Sequence, residues 1–204
     1  MKKGLQHFWI MSWVVWILGC LPIGLFLTGW WSTIDRVPEN KIFIFALIGL
    51  FIGIVLAGLL VKVTLRYLFS LPLPFLGSIY VFYFICFYGF FMGFPVFNVI
   101  LSIPAGSYMG ARMKNSPPAL KSKYLRTTLL FTLLCLLGGC IMTSWLALRE
   151  KTISSQIQHM LGLSFPFNTL MIWCLIIVGT ALLLILHYFL LSYYYRRFLK
   201  TEFM

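Results

Sequence analysis

The sequence predicts an all-α, polytopic membrane protein of about six transmembrane helices packed in one bundle. The chain of 204 residues is 61% hydrophobic and only 10% charged, which leaves too little polar surface for a soluble domain of this size. The 45 residues from Tyr67 to Ala111 contain no Lys, Arg, Asp or Glu. A helix of that length would cross a hydrocarbon core of about 30 Å twice. The remaining charges are concentrated at the ends of apolar runs.

Six apolar runs are long enough to be spans, and together they form a single transmembrane domain over residues 1–204. Their expected limits are about 8–31, 42–61, 73–93, 95–111, 127–148 and 169–191. The third and fourth runs are separated at Gly93-Phe94-Pro95, because proline cannot continue a helix without losing a backbone hydrogen bond. The fourth run is short and contains Pro104, so either a full span or a re-entrant helix fits it.

The distribution of basic residues predicts that both termini lie in the cytoplasm. With the N-terminus inside, cytoplasmic segments contain twelve of the 16 Lys and Arg residues and one acid, whereas the outer loops contain four basic residues and three acids. Because inner loops of membrane proteins are enriched in Lys and Arg, this asymmetry favours a multi-pass cell-membrane protein with an even number of crossings. The net charge of +12 has the same origin, so we expect no nucleic-acid partner.

Small residues at four-residue spacing predict close helix–helix contacts. Gly49, Gly53 and Ala57 line one face of the second span. Helices in lipid approach closely across such a face, because their association depends on van der Waals contact. The same spacing recurs in two further glycine pairs, Gly89/Gly93 and Gly106/Gly110. Packing inside the bundle is our interpretation, and a subunit interface is the alternative for the second span.

Two patterns that occur twice in the sequence indicate a candidate ligand site. The segments 94–98 and 165–168 both contain Phe-Pro followed by Phe-Asn at the outer end of a span. They predict either an outward-facing pocket of aromatic rings and amides or a helix start with interfacial anchors. Pro22 and Pro104 interrupt the first and fourth spans, which are equivalent in a three-plus-three inverted repeat. The candidate ligand-binding residues are Phe94, Phe97, Asn98, Phe167, Asn168, Pro22, Pro104 and Tyr108.

No catalytic or metal-binding pattern accompanies these residues. All four acids lie in loops or at the tail, and the five cysteines form no CxxC pair. His7 and His187 fall near span ends, where an interfacial position explains them better than a shared haem or metal. We therefore predict no catalytic residue, no metal and no cofactor. Proton-coupled transport needs a titratable side chain within the membrane. It is disfavoured here, because His187 is the one candidate that the sequence offers.

The sequence favours a membrane subunit that binds, or helps to transport, a small solute from the outer side together with a partner. One alternative is a non-catalytic assembly subunit of a membrane complex, and another is a membrane-embedded enzyme. The expected partners are the lipid bilayer, anionic lipids at the basic loop from Arg112 to Arg126, and a further membrane or cytoplasmic subunit.

Overall fold

The computed structural model describes residues 3–90, 95–149 and 168–201, and every regular element in these ranges is helical. Five stretches are long and apolar enough to cross a membrane: Gly4–Thr33, Glu39–Tyr67, Leu73–Phe90, Pro118–Leu146 and Leu170–Leu199. The prediction of an all-α protein with several membrane-spanning helices is confirmed at this level of length and composition. The number of crossings and the side of each terminus stay predictions.

The chain divides into two compact units, one built from Met1–Tyr83 and the other from Phe84–Thr201. Unit 1 contains three complete helices, namely α1 (Lys3–Leu18), α2 (Cys20–Thr33) and α3 (Glu39–Tyr67). Helix α4 (Leu73–Phe90) begins in unit 1 and ends in unit 2. The expectation of a single domain stays a prediction.

Unit 2 continues with a 3₁₀ helix, which we call the 3₁₀ segment (Pro95–Leu101), and three α-helices. These are α5 (Ser102–Arg112), α6 (Pro118–Arg149) and α7 (Thr169–Leu199). Helix α5 packs mainly on α7, and α6 also packs on α7. The core of the unit therefore lies along α7.

The first span is interrupted close to Pro22. Helix α1 ends at Leu18 and α2 begins at Cys20, while Gly19 between them keeps a right-handed helical conformation. The Gly19 N–H still donates to the Val15 carbonyl at 2.7 Å. Pro22 has no N–H for the Leu18 carbonyl and its ring crowds that oxygen, which explains why the regular helix breaks one turn before the proline.

The fourth apolar run is also helical but changes type along its length. The 3₁₀ segment leads directly into α5, in which Pro104 is the third residue. Because Pro104 cannot donate to the Ile100 carbonyl and crowds it, the preceding turns tighten into 3₁₀ form. Helix α5 alone has 11 residues, about half of the length that a full crossing needs.

The long helices extend beyond the apolar runs that predict them. Helix α3 begins at Glu39 and ends at Tyr67 instead of 42–61, α6 begins at Pro118 instead of 127, and α7 ends at Leu199 instead of 191. The added turns carry Lys and Arg residues, which are good helix formers. Hydropathy marks only the part of a helix that lies in hydrocarbon, and so it underestimates helix length.

Candidate functional site

Helix α5 packs against α7 through two glycines. A Cβ atom on Gly106 would lie 2.6 Å from the Leu191 carbonyl oxygen, and one on Gly110 would overlap the Tyr195 carbonyl oxygen. A step of four residues along α5 matches a step of four along α7, so the two helices run parallel. Glycine is needed at both positions, because any side chain would push the two backbones apart.

One turn earlier, the same register brings two polar side chains to the same level. Ser102 precedes Gly106 by four residues and His187 precedes Leu191 by four, so each lies on the face of its helix that makes this contact. Both side chains are fully buried. Within the described part of the chain, neither the Ser102 hydroxyl nor either ring nitrogen of His187 has a hydrogen-bond partner.

Asn98 lies in the 3₁₀ segment, just before Ser102, and is also fully buried. Its Nδ2 donates to the Phe84 carbonyl oxygen at 2.8 Å, which fastens the 3₁₀ segment to the end of α4. Its Oδ1 has no partner among the residues that the structure describes. We refer to Asn98, Ser102 and His187 as the polar seam.

The polar seam is equipped to hydrogen-bond a small polar molecule. The Asn98 Oδ1 accepts, the Ser102 hydroxyl both donates and accepts, and a neutral imidazole does both through its two nitrogens. Each buried polar group without a partner costs on the order of 1–3 kcal/mol, and most buried polar groups in proteins are hydrogen-bonded. A bound molecule that supplies the missing partners would offset this cost.

Two tyrosines on these helices have polar groups that already have partners. Tyr108 is buried and has Arg112 as its hydrogen-bonding and electrostatic neighbour. Tyr195 is buried as well, and its hydroxyl donates to the Lys121 carbonyl oxygen at 2.7 Å. This bond ties the end of α7 to the start of α6, so these two helices run antiparallel. The polar seam therefore precedes the glycine contact along both helices, and the Ser192 hydroxyl, one residue after Leu191, is a further buried group without a partner among the described residues.

Some of the predicted ligand residues belong to this region of unit 2. Asn98 is part of the polar seam, while Pro104 lies one turn before Tyr108 on α5. The Pro104 carbonyl accepts from the Ser107 hydroxyl at 3.2 Å. Phe97 is in the same 3₁₀ segment, but 41% of its surface is exposed.

The other predicted ligand residues have different settings. Asn168 is the N-cap of α7, where its Oδ1 accepts from the Met171 N–H at 2.8 Å. Pro22 lies in unit 1 against Gly53. Phe94 and Phe167 lie outside the described residues. The joint pocket of these residues stays a prediction.

Sequence reasoning does not identify Ser102 or His187 as site residues. It places His187 at the membrane interface, which stays a prediction, and it does not anticipate that the side chain is completely buried within the protein. The sixth apolar run ends at Leu191, but α7 continues to Leu199 and so carries His187 further from its end. The four-residue spacing of Ser102, Gly106 and Gly110 could have marked Ser102 as facing another helix, whereas no sequence signal links His187 to α5.

Unit 1 contains a second glycine contact, between α2 and α3. A Cβ on Gly29 would lie 2.6 Å from the Phe45 carbonyl oxygen, whereas one on Gly49 would overlap the Leu25 carbonyl oxygen and one on Gly53 would overlap Pro22. Positions that advance along α3 meet positions that recede along α2, so these helices are antiparallel. Their meeting residues are all apolar.

The other small residues predicted at four-residue spacing have different surroundings from Gly49 and Gly53. Ala57 continues the face of Gly49 and Gly53 and is half-buried. Gly89 has open space where a Cβ would lie, and its predicted counterpart Gly93 lies outside the described residues.

A cavity of about 530 Å³ opens in unit 1 beside the break in the first span. Its wall is mainly apolar, and it includes Cys20, Thr64 and Ser70. The Cys20 thiol donates to the Ile17 carbonyl and the Ser70 hydroxyl donates to the Tyr67 carbonyl, each at 3.0 Å. Since the Cys20 and Ser70 side chains already donate to backbone carbonyls and the wall is mainly apolar, the cavity suits an apolar chain better than a polar solute.

No group of three or more His, Cys, Asp or Glu side chains in the described ranges could hold a metal ion. Comparison with protein-family models, with curated proteins and with solved structures gives no significant match to this chain. The polar seam, as a set of buried side chains with unsatisfied hydrogen-bonding atoms in the described residues, is the candidate functional site.

Proposed function

We propose that the protein is a membrane subunit that binds, or helps to transport, a small polar solute, and that the polar seam recognises this solute. The observation that carries the proposal is the burial of Asn98 Oδ1, Ser102 Oγ and both His187 ring nitrogens without hydrogen-bond partners in the described residues. The seam lies where the fourth apolar run is broken. Broken helices near the middle of the membrane are typical sites of substrate binding in transporters.

The geometry also supports a route by which a solute could enter the seam. Gly106 and Gly110 allow α5 to meet α7 backbone to backbone, so separating the helices costs van der Waals contacts and breaks no interlocked side chains. The 3₁₀ segment has weaker hydrogen bonds than an α-helix and is suited to act as a hinge. Rotation of α5 about this hinge would open the polar seam.

The wider role belongs to the same proposal. The solute arrives from the outer side, both termini are cytoplasmic, and a partner subunit or the gradient of the solute supplies the energy. Anionic lipids contact the basic loop from Arg112 to Arg126. His187 acts in this proposal as a hydrogen-bonding group and not as a proton carrier.

Thiol labelling tests the proposal even while the solute is unidentified. In a variant whose five native cysteines are replaced by serine, Ser102→Cys is treated in intact cells with a membrane-impermeant methanethiosulfonate. Thr132→Cys is the matched control, because Thr132 is equally buried in unit 2 but its hydroxyl is bonded to the Leu129 carbonyl at 3.3 Å. We expect the thiol at position 102 to react from the outer side and the thiol at position 132 to stay protected.

Equal reactivity of the two thiols, or protection of both, would contradict the proposal and favour the assembly-subunit alternative. A thermal-shift screen of the purified protein with sugars, polyols, nucleosides and amino acids then identifies the solute. His187→Gln keeps hydrogen-bonding capacity without a titratable ring and should retain binding, whereas His187→Leu should abolish it. Loss of binding in both variants would show that the imidazole is needed for more than a hydrogen bond.

A further inference from the structure

The last turns of α7 border a groove of about 480 Å³ on the surface of unit 2. Arg196, Arg197 and Lys200 line one end of it, and Tyr188 and Phe189 line the other. The sequence contains no Asp or Glu at positions 84–149 or 168–201, and the nearest acid, Glu202, lies outside the described residues. The described residues of unit 2 therefore offer these cations no carboxylate partner.

One contact and one buried hydroxyl without a partner indicate that the basic end of the groove suits an oxygen-rich ligand. Arg197 is held by Tyr193, whose hydroxyl accepts a hydrogen bond from Nη1 at 3.2 Å. Ser192 also lines this groove; it is only 7% exposed, and its hydroxyl has no partner among the described residues. A guanidinium and a hydroxyl are the groups that commonly bind phosphate oxygens.

The groove continues into an apolar channel between α6 and α7. This second groove has a volume of about 330 Å³ and is lined by leucines that include Leu130, Leu134 and Leu184. Tyr188 and Phe189 line both grooves, so the two parts form one path from the cationic end to the apolar end.

The α6 side of this path carries further cations. The bond from the Tyr195 hydroxyl to the Lys121 carbonyl places the start of α6 beside the end of α7. Arg126 and Lys123 precede Leu130 by four and seven residues on α6, a spacing that keeps all three on one helix face. Both side chains are exposed. Cations from two helices thus flank the same end of the groove.

We propose that this joined groove, which we call the lipid groove, binds one anionic phospholipid. The phosphate lies among Arg196, Arg197 and Lys200, and one acyl chain follows Tyr188 and Phe189 into the leucine-lined channel. Basic pockets between helices at one membrane face are typical sites for acidic lipid headgroups. A zwitterionic lipid would place its own amine beside the same cations, so the groove selects against it. The inference does not depend on solute binding at the polar seam.

Native mass spectrometry of the intact protein in mild detergent tests the proposal with two lipids that differ only in headgroup, dioleoyl phosphatidylglycerol and dioleoyl phosphatidylcholine. We expect one phosphatidylglycerol to remain bound per chain, with an affinity about tenfold or more above that of phosphatidylcholine. Arg196→Gln combined with Lys200→Gln should lower the phosphatidylglycerol affinity by about tenfold. The exchange Arg196→Lys with Lys200→Arg keeps both charges and should keep binding.

Lys62→Gln combined with Arg66→Gln is the matched control. These two residues are also exposed cations four residues apart near the end of a long helix, but they line no part of the lipid groove. Leu134→Trp tests the acyl part independently, because the indole would fill the channel. Ile141→Trp adds the same volume two turns along α6, where the side chain is exposed and outside the groove. Of these two tryptophan variants, we expect Leu134→Trp to lose the lipid and Ile141→Trp to retain it.

Four results would overturn the proposal. The first three are equal retention of the two lipids, unchanged phosphatidylglycerol binding in both Arg196→Gln/Lys200→Gln and Leu134→Trp, and equal losses in the matched controls; the fourth is displacement by phosphate. Millimolar inorganic phosphate serves as the water-soluble competitor. If phosphate alone displaces the lipid completely, the groove recognises a free anion and not a phospholipid. If one variant fails to fold, the other still decides, because the two act on different ends of the groove.

Discussion

Units 1 and 2 each contain a pair of helices that meet through glycines, but the two contacts differ in what lies beside the glycines. In unit 1, α2 and α3 run antiparallel, and the residues around Gly49 and Gly53 are apolar. In unit 2, α5 and α7 run parallel. The buried Ser102 lies one turn before Gly106 on α5, and the buried His187 lies one turn before Leu191 on α7. Close backbone approach is thus common to both units, and the unsatisfied polar groups beside the α5–α7 contact are what distinguish the candidate site.

The difference has an energetic meaning. The α2–α3 contact gains van der Waals contact and buries no polar side chain among its meeting residues, so its sequence is suited to stability. The α5–α7 contact includes groups that destabilise the protein unless they find partners. Proteins commonly give up stability at sites where function requires it.

Gly49→Leu in unit 1 should have the largest effect. Its side chain would meet the backbone of α2 at Leu25, which cannot move aside as a flexible side chain can, so we expect a loss of about 3 kcal/mol or more. The measurement is thermal unfolding in mild detergent. Gly58→Leu is the control, since a Cβ there has nothing within 4 Å. An equal loss in both variants would show that the α2–α3 contact is not the cause.

Gly106→Ala should destabilise unit 2 by about 2 kcal/mol, because the new methyl group would lie 2.6 Å from the Leu191 carbonyl oxygen. The same variant should increase labelling of Ser102→Cys, since α5 is pushed away from α7. Gly138→Ala has open space and should be neutral or slightly stabilising through helix propensity. If Gly106→Ala destabilises the protein but leaves the labelling of Ser102→Cys unchanged, the glycine contact does not control access to the polar seam.

His187→Leu should raise the stability of the protein by about 1–2 kcal/mol, because it replaces two unpartnered buried nitrogens with apolar atoms of similar volume. Solute binding should be lost at the same time. Thr132→Val is the comparison, because the Thr132 hydroxyl already has a partner and its removal should bring no such gain. A His187→Leu protein that is less stable than the wild type would indicate that the imidazole has a structural role.

Tyr195→Phe should lower stability by about 1 kcal/mol, since it removes the hydrogen bond from the hydroxyl to the Lys121 carbonyl. Tyr193→Phe, on an exposed side chain two residues earlier, should change stability by less than about 0.5 kcal/mol. Thermal unfolding of both variants measures the difference. Solute binding should be unaffected in Tyr195→Phe, because this contact lies outside the polar seam.

Asn168→Ala should have the smallest effect, a loss of about 0.5–1 kcal/mol, because it removes the side-chain cap of α7. Asn168→Ser should restore most of this loss, since serine is also a good N-cap. Binding assays on Asn168→Ser and Asn98→Ser then compare the two predicted amides. If both lose solute binding, the two amides belong to one pocket; if only Asn98→Ser does, Asn168 acts as a cap alone.

Much of the helical architecture could be predicted from the sequence, because membrane helices follow from local properties. Long uncharged runs and their flanking cations located α3, α6 and α7 to within a few turns. Pro22 and Pro104 indicated interruptions of the first and fourth runs, since the missing N–H acts within one turn. The 3₁₀ form of Pro95–Leu101 was not predicted, and neither was the hydrogen bond from Asn98 to α4, because that bond joins two separate helices.

The candidate site was predictable only in part. Asn98 was predicted because two Phe-Pro segments end in Asn. The same repeated pattern also predicted Asn168, which caps a helix. Ser102 was marked only by its four-residue spacing from Gly106 and Gly110, which indicates a helix contact and not a site. The burial of His187 was not predictable, because an apolar run does not reveal which face of α7 packs on another helix.

Apolar helices suited to a membrane could be read from the sequence, because hydropathy and charge act on each segment separately. The helix that each glycine face meets is known only from the packing of the folded chain. The pairing of Gly106 with Leu191, and with it the burial of His187 at the level of Ser102, depends on the fit between two surfaces about eighty residues apart. Such complementarity is a property of both surfaces together, and no local pattern in either helix encodes it.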